Sequence, residues 1–274
     1  MKKMPSCVVA IYGVPRSGTS WLGQIFNSSP WVAYRFQPLF SYVFKDRLNE
    51  DSSLEEIDKF FDDLLNTNDD FVLQRGKARI SKTEIEFKKK ENITHLVYKE
   101  VRYHHILRNL LEQKKDIKII GIVRHPCAVI NSWLKAPKEF KKEWDPINEW
   151  RYAPSKNQGK KEEFNGFEKW MEVAEMFLEL RDRYPEQFYL FRYSDLHKEP
   201  ILTAKKLFEF CSLEFEEQTY KFILDSTQND VDDPYGVFRK NYDDKKWEVE
   251  LIPEISKTII DITEETKLSH FLKQ

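Results

Sequence analysis

The chain has 274 residues, of which 41% are hydrophobic and 14% aromatic, enough to bury a sizeable core in one large α/β domain or two small ones. Its 44 Lys and Arg residues against 46 Asp and Glu residues give a formal net charge of −2, which excludes the global basic field typical of nucleic-acid-binding proteins. Three scattered cysteines without a C-x-x-C pair favour buried thiols in a reducing compartment over disulfides or zinc.

The N-terminal residues 1–5 carry positive charge, but the apolar run behind them is soon interrupted by Gly13 and Pro15. Such a run is too short for a signal peptide or a membrane span. We therefore expect a cytoplasmic protein.

Four apolar, β-branched runs are predicted to form buried strands, and each is followed by a polar turn and a helical pattern. This alternation favours a parallel sheet covered by helices. The predicted strands are residues 8–12, 95–98, 117–123 and 188–191.

Two helices have clear boundary signals. The run Ser52-Ser53-Leu54-Glu55-Glu56 is typical of a capping box that opens a helix. A second helix is predicted from about Phe167 to Arg183, because apolar residues recur on one face and Pro185 follows. Composition predicts irregular surface segments at residues 81–92 and 135–166.

A glycine loop joins the first predicted strand to a helix; its residues 13–21 read Gly-Val-Pro-Arg-Ser-Gly-Thr-Ser-Trp. The two glycines have the spacing of the nucleoside triphosphate loop G-x-x-x-x-G-K-[ST], whose backbone N–H groups hold phosphate. Thr19 stands where the lysine of that loop would be, and Arg16 places a cation inside the loop instead. We expect such a loop to hold a phosphate beside one positive charge, rather than a triphosphate with its magnesium.

A second anion site is predicted where the third strand ends. Arg124 follows Val123 directly, Pro126 favours the start of a helix, and Ser132 comes two turns later. A guanidinium and a hydroxyl are suited to bind phosphate oxygens. A nucleoside triphosphatase would offer an acidic residue for magnesium at such a strand end, and none is present here. The sequence therefore predicts two separate phosphate sites without a magnesium carboxylate.

Residues 13–21 together with residues 123–133 closely resemble the two cofactor loops of sulfotransferases that use 3′-phosphoadenosine 5′-phosphosulfate (PAPS). Residues 191–196 and 237–247 are similar to more degenerate segments of that family. The matches come in the expected order, so the resemblance covers nearly the whole chain.

The resemblance implies an α/β fold with a single P-loop-like domain over residues 1–274, in which a central parallel sheet is flanked by helices. Residues 135–166 would form an irregular, lid-like insert. The implied reaction transfers a sulfuryl group from PAPS to an acceptor hydroxyl and releases adenosine 3′,5′-bisphosphate (PAP), with no metal required. The implied partner is a hydroxyl-bearing acceptor, with no nucleic acid and no membrane span.

The same resemblance implies roles for individual residues. The glycine loop would hold the 5′-phosphosulfate, and Trp21 would stack on adenine. The residues implied for the 5′-phosphosulfate are Arg16, Ser17, Gly18, Thr19 and Ser20. Arg124 and Ser132 would hold the 3′-phosphate. The residues implied to complete the nucleotide site are Tyr193, Arg239 and Lys240.

Sulfuryl transfer requires positive charge at the leaving group and at the transferred group. Arg16 and the loop N–H groups are expected to stabilise the leaving 5′-phosphate. The second predicted strand is followed by Lys99 and Glu100, and by resemblance Lys99 would contact the sulfate. Lys99 and Glu100 alternate across a strand, so one of them can point away from the site.

The acceptor hydroxyl also requires a general base. Relatives that act on carbohydrates or tyrosine often use a glutamate in a segment that residues 36–39, Phe-Gln-Pro-Leu, resemble. This chain has Gln37 there, and an amide cannot accept the proton. We therefore predict Glu100 as the base, with His104 and His105 as alternatives.

Carbohydrate hydroxyls are the preferred acceptors, because Arg16 and residues 37–39 resemble carbohydrate-directed members of the family. Phenols, lipids and small natural products are alternative acceptors. Aromatic side chains suit any of these, and the candidates for an acceptor wall are Phe36, Phe40, Tyr42, Trp144 and Trp150.

Two other functions are compatible with a phosphate-binding α/β fold. A small-molecule kinase would require a lysine at position 19 and a magnesium-binding acid after a strand, and both are missing. A non-catalytic module that binds phosphorylated ligands would not need to bind PAP tightly.

Overall fold

The computed structural model describes residues 5–79, 81, 85–231, 233, 235–238, 240 and 243–273. Within these residues the chain forms five strands and twelve α-helices. The strands are β1 (Cys7–Tyr12), β2 (Val32–Phe36), β3 (His95–Glu100), β4 (Lys118–Val123) and β5 (Phe188–Arg192). The helices are α1 (Thr19–Asn27), α2 (Leu54–Asn66), α3 (Leu107–Gln113), α4 (Pro126–Leu134), α5 (Pro146–Glu149), α6 (Pro154–Asn157), α7 (Phe167–Arg183), α8 (Tyr193–Lys198), α9 (Pro200–Phe210), α10 (Glu217–Gln228), α11 (Trp247–Glu250) and α12 (Pro253–Glu264).

All five strands pair in parallel, in the order β2-β3-β1-β4-β5. Their carboxyl ends therefore meet at one edge of the sheet. The chain leaves β1 toward β2 and β3 on one side and later continues to β4 and β5 on the other. In open α/β sheets, ligands bind at such a change of direction, beyond the strand ends. The predicted α/β fold, with a central parallel sheet flanked by helices, is confirmed.

The two faces of the sheet bury separate cores, because successive side chains of a strand point to opposite faces. On β3, Tyr98 packs in the core that contains residues of α2, α3 and α7. Val97 packs in the core that contains residues of α1, α9 and α10. This alternation places Lys99 on the α1 side and Glu100 on the opposite side.

The strand β2 was not predicted, because Arg35 interrupts its apolar pattern. Arg35 is nonetheless buried, and its guanidinium donates hydrogen bonds to the carbonyls of Leu64 (2.7 Å) and Leu65 (2.5 Å). These carbonyls belong to the last turn of α2, where helix geometry leaves acceptors unsatisfied. The four strands that were predicted are present, with ends shifted by at most two residues.

The predicted helix signals are confirmed. The hydroxyl of Ser53 accepts the N–H of Glu56, and the Glu56 carboxylate accepts the N–H of Ser53, which completes the capping box of α2. α7 has the predicted bounds. The described part of residues 81–92 has no helix or strand, whereas residues 135–166 contain α5 and α6 and so are partly helical.

Among the described residues, none of the helices combines the length and apolarity that crossing a membrane would require.

Candidate functional site

The glycine loop connects β1 to α1 with geometry that two glycines make possible. Gly18 has φ 95° and is the N-cap of α1, and a side chain there would overlap the ring of Tyr193. A Cβ on Gly13 would lie 2.8 Å from the carbonyl oxygen of Ile122 on β4. No side chain caps the start of α1, so its first N–H groups point toward the loop and suit an anion.

Arg16 brings the two predicted phosphate sites into direct contact. Its Nε donates a hydrogen bond at 3.0 Å to the Oγ of Ser132, which lies on α4. Arg124 Nη1 donates in turn to the carbonyl oxygen of Arg16 at 2.7 Å. The turn after β4 therefore touches the glycine loop, as a pair of sites on one nucleotide requires.

Arg124 is buried, with 7% of its surface exposed, and it contacts several neighbouring residues. Its Nε and Nη2 both lie 2.7 Å from Oδ1 of Asp244. Its guanidinium carbon lies 5.1 Å from the centroid of the Tyr193 ring, a cation–π distance. Trp170 Nε1 donates to the Arg124 carbonyl at 2.9 Å. The guanidinium therefore has a defined position at the carboxyl end of β4.

A cavity of about 630 Å³ opens at this edge of the sheet, a volume typical of small-molecule sites. The structure brings most of the predicted site residues to its wall. These are Arg16, Gly18, Thr19, Ser20, Trp21, Lys99, Arg124, Ser132, Tyr193 and Lys240. The buried side chain of Ser17 does not line the cavity, and Arg239 lies outside the described residues.

An aromatic part of the wall lies beside α1. Trp21 Nε1 donates to Ser226 Oγ at 2.9 Å, and its ring meets Tyr193 edge to face at 6.4 Å between centroids. The ring of His197 lies nearly parallel to that of Tyr193, with an interplanar angle of 4° and 6.2 Å between centroids. These rings have the flat faces that stack on a nucleotide base.

Lys99 projects into the cavity from the end of β3. It is 2% exposed, and its Nζ lies 3.5 Å from Thr19 Oγ1 and 4.5 Å from the centroid of the Phe36 ring. Burial lowers the pKa of Lys99 to about 7. An anion bound beside Nζ would favour its charged form, so Lys99 is placed to pair with a sulfate.

Glu100 lies on the opposite face of β3. Its carboxyl group is fully buried and accepts the N–H of Leu39 at 2.7 Å, and it does not line the cavity. Burial raises the pKa of Glu100 to about 8. A general base must reach the acceptor hydroxyl. The role of Glu100 as the base stays a prediction, and its position argues against it.

The two histidines predicted as alternative bases are also away from the cavity. His104 is fully buried, with its ring 4.4 Å from Phe164 and 5.4 Å from Tyr12 between centroids. Burial lowers the pKa of His104 to about 3. His105 is half-buried beside Tyr103. Neither histidine lines the cavity, so geometry argues against both as bases.

Several charged residues of the wall were not predicted. The additional cations are Arg79, Arg102, Lys138 and Lys156. Among the described residues of the wall, the carboxylate is Glu139, whose Oε1 lies 3.5 Å from Arg16 Nη1. Glu139 stands among the lysines of residues 135–166, and that composition is typical of a solvated surface. The sequence around Glu139 therefore did not indicate that this residue lines the cavity.

The candidate acceptor wall is confirmed only in part. Phe36 and Phe40 line the cavity. Tyr42 is fully exposed, while Trp144 packs against Phe140, and Trp150 packs away from the cavity in the main core. Of these acceptor-wall candidates, the rings that reach the cavity therefore come from β2 and the 3₁₀ turn Pro38–Phe40 that follows it.

Among the described residues, no group of three His, Cys, Asp or Glu side chains is placed to hold a metal ion.

Comparisons with known proteins identify the family and the fold of this chain. A family model described as "Sulfotransferase domain" matches residues 8–270. Carbohydrate sulfotransferase 3 of Tetronarce californica is 26% identical over 181 residues, which are 62% of this chain. The match spans only 40% of the length of that protein.

Two solved structures show the same fold. Mouse sulfotransferase SULT7A1, complexed with PAP, superposes with a TM-score of 0.58 at 14% identity, covering 99% of this chain and 89% of its own. The sulfotransferase domain from the curacin biosynthetic pathway has a TM-score of 0.54 at 19% identity, covering 96% of this chain and 99% of its own.

Proposed function

Because the chain belongs to the sulfotransferase domain family, matched over residues 8–270, we propose that it transfers a sulfuryl group from PAPS to an acceptor hydroxyl. One observation carries the proposal. Arg124 donates a 2.7 Å hydrogen bond to the carbonyl of Arg16, which places the turn after β4 against the glycine loop. Two anion sites in contact suit a nucleotide that has two phosphate-bearing positions on one ribose.

The residues of the cavity fit PAPS in charge and shape. α1 begins without a side-chain cap beside Arg16, so its N–H groups and the guanidinium suit the 5′ end of the nucleotide. Arg124 and Ser132 would hold the 3′-phosphate, and Trp21 would stack on the base. Lys240 lines the same cavity and would complete the nucleotide site.

When bound, PAPS supplies an activated sulfuryl group on a good leaving group. Arg16 would stabilise the negative charge that grows on the 5′-phosphate as the bond to sulfur breaks. Lys99, with its Nζ beside Thr19, would neutralise the oxygens of the transferred group. Both cations are in position before the substrate binds. They therefore stabilise the charged transition state better than water would, because water must first reorient.

We propose that the acceptor is a carbohydrate or glycoconjugate hydroxyl. The cavity presents the rings of Phe36 and Phe40, which suit the apolar face of a sugar, and the sequence at Arg16 resembles that of carbohydrate-directed members. The matched carbohydrate sulfotransferase supports this choice, at 26% identity over part of its length. A phenolic, lipid or small natural-product hydroxyl is the alternative.

We further propose that residues 1–274 act as one sulfotransferase domain in which residues 135–166 form an insert beside the cavity. Lys138, Glu139 and Lys156 of this insert line the cavity wall, which supports the assignment. The cytoplasmic location stays a prediction, and it is compatible with the free thiols of the three cysteines.

Thermal unfolding with nucleotides tests the cofactor assignment. PAP at about 100 times its Kd should stabilise the protein by about 2.7 kcal/mol, and AMP should stabilise it less. Arg124→Ala and Ser132→Ala should reduce the shift by PAP, whereas Arg183→Ala, an exposed arginine on α7, should leave it unchanged. A larger shift by ATP with magnesium would favour a kinase instead. No shift by any of these nucleotides would favour a non-catalytic module.

A screen with sulfur-35-labelled PAPS tests the acceptor. Oligosaccharides, simple phenols and lipid alcohols would be incubated separately with the protein, and labelled product would be counted. Fastest transfer to an oligosaccharide is the expected result. Faster transfer to a phenol or a lipid alcohol would move the acceptor class to the alternative and leave the transfer reaction itself supported.

A further inference from the structure

We propose that Glu139 is the general base that takes the proton from the acceptor hydroxyl. The inference rests on the proposed sulfuryl transfer and assigns the step for which the sequence predicted Glu100. Glu139 follows α4 and lines the cavity with a side chain that is 25% exposed. It is therefore both accessible to an acceptor and inside the wall that surrounds the reacting groups.

The position of Glu139 is fixed by its neighbours. Phe140 packs between Trp133 and Trp144, at 5.3 Å and 5.5 Å between centroids, which anchors the backbone next to Glu139. The N–H of Glu139 donates to the carbonyl of Ala136 at 2.9 Å. A base held by packed neighbours loses little entropy when it aligns with a substrate.

The other cavity-wall groups near β3 cannot accept a proton in this way. Val101 and Gln37 line the cavity at the ends of β3 and β2, but the side chain of Val101 is apolar and that of Gln37 is an amide. His197 stacks on Tyr193, on the side proposed for the nucleotide base. Lys99 is required in its charged form for the sulfuryl oxygens. Glu139 is the carboxylate among the described residues of this wall.

The groups that face Glu139 are mostly cations. Arg16 Nη1 lies 3.5 Å from Glu139 Oε1. Lys99 and Lys156 interact with Glu139 electrostatically, and so does the phenol of Tyr235. The adjacent residue is also a lysine, at position 138. Glu139 therefore interacts with both cations that are proposed to act in the transfer, Arg16 at the leaving 5′-phosphate and Lys99 at the transferred group.

The proposed step balances without a further reactant. The acceptor hydroxyl gives its proton to the Glu139 carboxylate while its oxygen forms a bond to sulfur. The bond from sulfur to the bridging oxygen of the 5′-phosphate breaks, and its electron pair leaves with PAP. Arg16 pairs with Glu139 in this structure, and the 5′-phosphate would compete for the same guanidinium, which would release the carboxylate toward the acceptor.

Kinetics of Glu139→Gln, Glu139→Asp and Glu143→Gln test the role. Glu143 lies on the same segment, is exposed and does not line the cavity, so it provides the matched control. With labelled PAPS and the oligosaccharide that accepts fastest in the screen, Glu139→Gln should lower kcat by about 100-fold or more. Glu139→Asp should keep part of the activity, and Glu143→Gln should match the unaltered protein.

A second measurement separates catalysis from simple charge balance. Calorimetry should show that Glu139→Gln binds PAP at least as tightly as the unaltered protein, because Arg16 loses its competing anion. The pH profile of kcat for Glu139→Gln should lose its acidic limb. If Glu139→Gln instead turns over at the unaltered rate and binds PAP more tightly, Glu139 only balances the charge of Arg16. The assignment of Glu139 as the base is then wrong, while the proposed sulfuryl transfer still stands. If the unaltered protein neither binds PAP nor transfers label to any acceptor, the proposed function fails as well.

Discussion

Lys99 and Glu100 are neighbours in sequence but lie in opposite environments. Lys99 reaches the cavity beside Thr19, and Glu100 is enclosed by the core behind β3. Burial disfavours the charged form of each side chain. The pKa of Lys99 therefore falls to about 7, and that of Glu100 rises to about 8. One residue is placed for anion binding, while the other holds the N–H of Leu39.

The raised pKa of Glu100 predicts a pH dependence of stability. The folded state keeps the proton up to about pH 8, whereas the unfolded chain loses it near 4.5. The stability that Glu100 contributes is therefore fully present below about pH 4.5 and is lost as the pH rises through about 8. Glu100→Gln keeps an acceptor for Leu39 and has no proton to lose.

Urea unfolding at pH 5 and pH 8 measures this effect. Between these two values, the free energy of unfolding of the unaltered protein should fall relative to that of Glu100→Gln. The expected difference is a few kcal/mol, since one pKa unit corresponds to about 1.4 kcal/mol. His104 titrates in both proteins, so its contribution cancels in the comparison, whereas Lys99 interacts with the charge of Glu100 and its response is part of the measured difference. Equal changes in the two proteins would contradict a buried, protonated Glu100.

At the scale of elements, the glycine loop depends on close contact with α8. Gly18→Ala would strain a backbone at φ 95° and push a methyl group into the Tyr193 ring. Gly159→Ala is the matched control, because Gly159 has φ 70° and an added Cβ there would meet no atom within 4 Å. Both variants should lose about 1–2 kcal/mol of stability from backbone strain. Only Gly18→Ala should also lose PAP binding in calorimetry, and unchanged PAP affinity would contradict the proposed phosphate site.

The capping box of α2 predicts an effect on stability without an effect on activity. Ser53→Ala removes the hydroxyl that accepts the N–H of Glu56, and a lost N-cap costs about 1 kcal/mol. No residue of α2, a fully described helix, lines the cavity. Thermal unfolding should therefore show the loss while kcat and KM stay unchanged. Ser53→Asp, which keeps a capping oxygen, should restore stability; failure to do so would mean that the cap is not the cause.

At the scale of the whole molecule, the pair Arg124–Asp244 joins the end of β4 to the segment that leads into α11 and α12. Both side chains are at most 9% exposed. Removing one charge of a buried pair leaves the other without compensation, so Asp244→Asn should lower the free energy of unfolding by about 3 kcal/mol. It should also weaken PAP binding, because Arg124 loses its orientation.

The matched control for this pair is Glu112→Gln. Glu112 bonds Arg183 at 3.2 Å, but both side chains are about half exposed. An exposed pair contributes less than about 1 kcal/mol. Urea unfolding of Asp244→Asn and Glu112→Gln compares the two pairs. Equal losses in the free energy of unfolding would show that burial does not strengthen the Arg124–Asp244 pair.

Family membership could be inferred from contiguous segments alone. The glycine loop and residues 123–133 each contain a strand end, a turn and a helix start, and their resemblance to sulfotransferases is confirmed by the family match over residues 8–270. Such segments are predictable because steric limits on glycine, proline and strand periodicity act between near neighbours. The same reason explains why four strands and the N-terminal capping box of α2 were predicted.

The remaining features depended on residues far apart in sequence. β2 was missed because Arg35 bonds carbonyls about 30 residues away, and Asp244 is 120 residues from Arg124. The face of β3 on which Glu100 lies could not be predicted, because it depends on which helices cover each side of the sheet. The sequence alone determined the family, through the resemblance of two contiguous segments to known cofactor loops, and the parallel α/β fold, since strand, turn and helix signals follow from local backbone preferences. Only the tertiary structure decided which charges meet in the cavity, because strand order and helix packing bring together side chains that no local pattern relates.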